Sequence, residues 1–168
     1  GKGARMKGDF NLSGGEVLHI IVGQLGVHGT GGGSQTDAGG GGGTFVIKSN
    51  GEPLIIAGGG GGGSYYGYAH NDKHAHVEET GRGAYSCSNT SSNGDAGGYC
   101  SSSGGAPGAG LTGQMAGTLS NSTYPGKKIV DGSAEGGYGS TVYSGRPNGG
   151  FGGGGGGGHG CCWGSGGG

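Results

Sequence analysis

"GGGGGTFVIKSNGEPLIIAGGGGGG", residues 39–63, places two short apolar runs between two glycine tracts. The centre reads as a β-hairpin. Phe45-Val46-Ile47 and Leu54-Ile55-Ile56 flank Ser49-Asn50-Gly51, and an Asn-Gly pair suits two residues at positive φ. Pro53 has no N–H to give to a ladder, which predicts a strand end or a sheet edge for it. The flanks pose the harder question, because glycine tracts read by composition as flexible linkers. For them to be ordered, something must offset the large conformational entropy of glycine.

Of the 168 residues, 55 are glycine, so few side chains are left to make a core. The apolar residues concentrate between Phe10 and Val27 and in the hairpin. "DFNLSGGEVLHIIVGQLG", residues 9–26, predicts two strands around the turn Ser13-Gly14-Gly15. Phe10 and Leu12 alternate with polar neighbours in the first, and Val17 to Val22 is apolar enough for a buried strand. No stretch carries a helical period, and the strongest helix formers are sparse.

Glycine runs occupy residues 31–33, 39–43, 58–63, 152–158 and 166–168. Collagen is excluded, because glycine does not recur at every third position. The ordered alternative is a bundle of extended threefold helices like polyproline II, whose N–H and C=O groups all point outward. Only glycine lets such helices approach on every side, so that each donor meets a carbonyl on a neighbour. Seven residues at about 3.1 Å each make a rod of roughly 22 Å, which the run at 152–158 would place at the centre. The expected architecture is one glycine-rich domain over residues 1–168, mainly β and polyglycine II with little or no α-helix. Its strands fall mainly within 8–57, and its bundle is drawn from 31–43, 58–63, 97–118 and 132–168.

Nine basic and ten acidic residues give a net charge of −1 with no basic stripe, which argues against a nucleic-acid partner. No apolar run approaches the roughly 18 residues of a membrane span, and no signal peptide opens the chain. The absence of an initiator Met and the abrupt end read as a mature or excised portion of a longer protein. Four cysteines and the sequons at Asn11, Asn89 and Asn121 favour an extracellular setting. Adjacent Cys161 and Cys162, with Cα atoms about 3.8 Å apart, are too close for a relaxed mutual disulfide. If all four pair internally, Cys87 and Cys100 join Cys161 and Cys162 in one of two connectivities. The alternative is a local Cys87–Cys100 bridge that leaves Cys161 and Cys162 for partners outside the chain.

"HNDKHAHVEE", residues 70–79, concentrates ionisable groups. His74 and His76 point the same way on an extended segment and are candidates for surface zinc or copper. The plainer reading is a solvated polar loop, since no spacing matches a closed structural zinc site. GxGxxG matches are uninformative at this glycine content, and nothing places a Ser or Cys nucleophile beside an orienting base and acid. No enzyme activity and no cofactor are expected. Tyr65, Tyr66 and Tyr68, with Trp163, are candidate contact residues, being rigid and amphipathic; the alternative is that these rings cover the flanks of the bundle.

The order of motifs resembles the glycine-rich extracellular region of the anaplastic lymphoma kinase and leukocyte tyrosine kinase receptor family. The matching pieces are "GARMKGDFNLSGGEVLHIIVGQLG", the hairpin with its two glycine tracts, and "GGFGGGGGGGHGCCWGSGGG", together spanning residues 4–68 and 149–168. The resemblance implies a jelly-roll-like β subdomain, similar to tumour necrosis factor, fused to a bundle of polyglycine helices. It also implies a region through which receptors bind small protein ligands. The leading expectation is an extracellular, non-catalytic structural protein module that packs with copies of itself or another extracellular protein, as in a fibre or matrix. The second is a ligand-binding ectodomain of a receptor of that family.

Overall fold

The apolar runs on either side of Ser49-Asn50-Gly51 do pair. In the computed structural model, which describes residues 1–29, 38–63, 74–77, 97, 106–113, 124–139 and 147–157, β1 is Leu18–Ile21, β2 is Thr44–Lys48 and β3 is Pro53–Ala57. The three form an antiparallel sheet in the order β1-β2-β3. Phe45 stands opposite Ile21 on one side and Ile56 on the other, and the register shifts between Val46 and Ile47. Pro53 opens the edge strand β3, as its missing N–H requires. Among the described residues there is no α-helix, and Ile129–Asp131 forms a single 3-10 turn.

Three expectations need correction. The hairpin loop does not use two residues at positive φ: Gly51 has φ +88°, whereas Asn50 lies outside that region. Gly51 donates to the Lys48 carbonyl (2.9 Å) and Lys48 donates to the Glu52 carbonyl (2.9 Å), so the loop is a three-residue one closed by a left-handed glycine. Asn50 contributes through its side chain instead, its Oδ1 accepting the Glu52 N–H at 3.0 Å. Secondly, Phe10 and Leu12 lie outside any strand and are exposed, although the turn at Ser13 is present, with Glu16 N–H donating to the Ser13 carbonyl. Thirdly, Val17 to Val22 is not a buried strand. Its core is the four-residue edge strand β1, and Val17, Ile20 and Val22 are exposed.

The glycine tracts are held by their backbones. Ala38 and Gly41 donate to the carbonyls of Gly63 and Gly60; Gly39 and Gly42 to those of Val27 and Gln24; Gly40 and Gly43 to those of Gly155 and Gly152, all at 2.8–3.0 Å. The direction of donation thus repeats every third residue, and one strand of backbone serves three neighbouring segments. In each pairing the acceptor number falls as the donor number rises, so the neighbours run antiparallel. The same spacing marks where a side chain is forbidden. A Cβ on Gly39 or Gly42 would overlap the backbone of Asn148 or Phe151, and one on Gly23 or Gly26 would overlap the carbonyls of Gly42 or Gly39.

Residues 152–157 are buried at every position. Their carbonyls radiate: Gly152 accepts from Gly43, Gly153 from Ala109, Gly154 from Gly137 and Gly155 from Gly40. Gly152 and Gly153, at φ +96° and +79°, turn both N–H groups onto the carbonyl of Ala134, at 2.7 and 3.2 Å. Aromatic residues in these segments reach the surface, with Phe151 exposed and the Tyr124 and Tyr138 rings packed edge to face at a centroid distance of 6.0 Å.

The side-chain core sits where sheet and glycine segments meet. Phe45 is fully buried among Ile47, Leu111, Ile129 and Ala134, with Ile21 and Ile56 packed against the cluster. Leu111, Ile129 and Ala134 come from the glycine-rich half of the chain, so this one small cluster joins the two kinds of structure.

Candidate interaction surface

Several candidate residues lie outside the described residues: Cys87, Cys100, Cys161 and Cys162, the sequons at Asn89 and Asn121, and the aromatic group Tyr65, Tyr66, Tyr68 and Trp163. Asn11 is described, and it is exposed in the segment before the Ser13 turn, where an attached glycan would meet no obstruction from burial.

His74 and His76 are both partly buried, and the structure gives them different surroundings. Nδ1 of His74 accepts the backbone N–H of Lys2 at 2.9 Å, and Ala75 returns a bond from its N–H to the Lys2 carbonyl at 2.9 Å. The segment therefore clasps the first residues of the chain, which also pair with the second glycine tract through Ala4 N–H and the Gly58 carbonyl. With Nδ1 so engaged, His74 has only Nε2 to offer a metal. His76 Nε2 is buried with no hydrogen-bond partner. Among the described residues no group of three or more His, Cys, Asp or Glu side chains is placed to hold a metal ion.

Charged side chains form small surface pairs. Lys48 Nζ lies 3.1 Å from Glu52 Oε2 and 3.9 Å from Glu16 Oε1, and the hydrogen bond from Lys48, with its charge, holds the Glu52 carboxyl below the usual range. Lys127 Nζ lies 2.8 Å from Glu135 Oε2, which raises the Lys127 ammonium above its ordinary value through the hydrogen bond and the opposite charge. Both pairs are exposed, where such contacts contribute little to stability.

The feature that sequence reasoning missed lies in residues 17–27. Val17, Ile20, Val22, Leu25 and Val27 are all exposed, Ile20 by 64% and Leu25 by 90%. The series follows from two local facts. In "LHIIV" the apolar residues do not alternate with polar ones, so a strand there carries apolar side chains on both faces. Beyond it, Gly23 and Gly26 turn inward against Gly42 and Gly39, which leaves Leu25 to face solvent.

Among the described residues, no further strand pairs with the sheet edge beside this series. Ser49 N–H donates to the Val17 carbonyl at 3.2 Å, continuing the register in which Leu18 faces Lys48. Antiparallel ladders alternate, so Val17, His19 and Ile21 turn their backbone groups toward β2, and Leu18 and Ile20 turn theirs outward. No described residue bonds to those outward groups. β3 differs: it begins at Pro53, and just beyond its end Gly58 is engaged by Ala4.

Among the described residues no helix is long and apolar enough to cross a membrane. No protein-family model, no curated protein and no solved structure matches the chain.

Proposed function

We propose that this chain is an extracellular, non-catalytic structural module that works by packing against other copies of itself. In this reading the glycine tracts are threefold helices of the polyglycine II kind, and the sheet belongs to a jelly-roll-like subdomain, as the family resemblance implies. The three-residue repeat in the direction of hydrogen bonding from Ala38 to Gly43 supports the first assignment, because a threefold helix presents successive N–H groups 120° apart, as roughly three residues per turn require.

The observation that carries the function is the exposed apolar series from Val17 to Val27 beside a strand edge to which no described residue bonds. Exposed apolar side chains gathered in one short segment fit an interaction site on a folded domain, and a free strand edge is a template for another chain. Among the described residues the apolar cluster that joins sheet and glycine segments, Phe45, Ile47, Leu111, Ile129 and Ala134, carries no ionisable or nucleophilic group.

The test is the native mass of the protein over a range of concentrations, paired with negative-stain imaging. Species of two or more chains, or regular filaments, are expected. A monodisperse single-chain particle at every concentration overturns the reading and moves the search to a protein ligand, as in a receptor ectodomain.

A further inference from the structure

We infer that the first contact of the assembly is a two-fold one, in which β1 of one copy pairs antiparallel with β1 of a second, with Ile20 opposite Ile20. The inference rests on the assembly reading above and names the partner and register at that surface. The backbone groups available for it are those of Leu18 and Ile20, which face away from β2.

The register follows from the sequence of the edge. With Ile20 opposite Ile20, Leu18 of each copy faces Val22 of the other, so the face that carries Leu18, Ile20 and Val22 is apolar throughout, while on the opposite face His19 meets Ile21. At its ends Glu16 faces Gln24, a polar pair able to hydrogen-bond, and no like charges meet. The neighbouring in-phase registers are worse. One sets Glu16 against Val22, and the other sets Leu18 against Gln24. A contact in which residue i meets j while j meets i closes on itself with two-fold symmetry, so the same short edge satisfies both copies.

The other edge cannot substitute. Pro53 faces Ile47 at a position where β3 turns its backbone outward, since the next pair, Lys48 and Glu52, is the one bonded across the hairpin. A missing N–H there and the first residues of the chain beside Gly58 blunt that side, whereas β1 has no proline, no bulge and no charged side chain. The two sheets joined through β1 make one of six strands, and a filament then needs a second, different contact.

The experiment compares the unmodified protein with Ile20→Lys and Val130→Lys, reading native mass and residue-resolved amide exchange. Both residues are exposed, so neither change disturbs the packed core. The expected result is a two-chain species in which the amides of Leu18 and Ile20 slow by about tenfold or more as concentration rises. Ile20→Lys should return it to single chains, and Val130→Lys, which lies outside the Val17–Val27 series, should leave it paired. If the protein associates but the amides of Leu18 and Ile20 exchange at a concentration-independent rate, or association survives Ile20→Lys, the strand-edge contact is overturned while assembly stands. If the unmodified protein stays a single chain throughout, both fall.

Discussion

Alanine at position 42 is expected to prevent the glycine-rich half of the chain from closing. Gly42 donates to the Gln24 carbonyl at 2.8 Å while its Cα lies against Phe151 and Gly152, and a Cβ there would overlap the Phe151 carbonyl. The obstructing atoms are backbone, so no rotamer change relieves the overlap. The segments must separate, and separation breaks the bonds of the Gly42 neighbours too: Gly43 to Gly152, and Gln24 to Phe151. Overpacking alone costs about 1–3 kcal/mol in ordinary cores, and each buried donor left unpaired adds about 1–3 kcal/mol. Against a total stability of about 5–15 kcal/mol, one methyl group is enough to unfold much of the population. Gly14→Ala is the control. A methyl group at Gly14 would meet nothing within 4 Å and the φ there is not positive, so stability should change little or rise slightly. Denaturant unfolding of the two variants side by side reads the difference.

The second large effect is expected at Phe45. It is the one large apolar side chain that is fully buried among the described residues, and its neighbours come from β1, β2, β3 and the glycine-rich segments. Phe45→Ala removes the ring and leaves a cavity that the stiff surrounding backbone closes poorly, for a loss of about 3–5 kcal/mol. Because Leu111, Ile129 and Ala134 lose their partner together with Ile47, the sheet and the glycine segments should unfold in one transition, shifted to lower denaturant. Two separate transitions in the variant would mean that the glycine segments hold without this cluster. Phe45→Leu, which keeps most of the volume, should lose markedly less.

How much of this was legible beforehand depended on whether side chains carried the signal. The hairpin was, because two apolar runs bracket a turn and Pro53 limits where β3 sits. So was the need for glycine at the tracts, since nothing else allows backbones so near each other. Which tract meets which was not legible: glycines are identical, and no side-chain pattern records that Gly40 faces Gly155 while Gly41 faces Gly60. Leu111, Ile129 and Ala134 were hidden for a related reason: Leu111 and Ala134 stand singly among polar and glycine neighbours, and Ile129 has only Val130 beside it, so none belongs to a run that shows a period.

The candidate surface was misread rather than unreadable. "LHIIV" lacks the alternation that says which face is buried, and a chain with 29% hydrophobic residues has too few to cover both faces of a sheet. His74 shows the remaining limit. Its ring accepts from Lys2, 72 residues away, and no local pattern announces such a partner.

The central claim is that backbone hydrogen bonds in three directions replace a side-chain core along the glycine segments. Residue-resolved amide exchange of residues 38–43 in the native protein tests it directly. If each successive N–H is engaged by a different neighbour, all six amides should exchange slowly and with similar protection, since they open together. Exchange across the run at the rate of an unstructured peptide would contradict the account. So would protection alternating with a period of two, the signature of an ordinary edge strand.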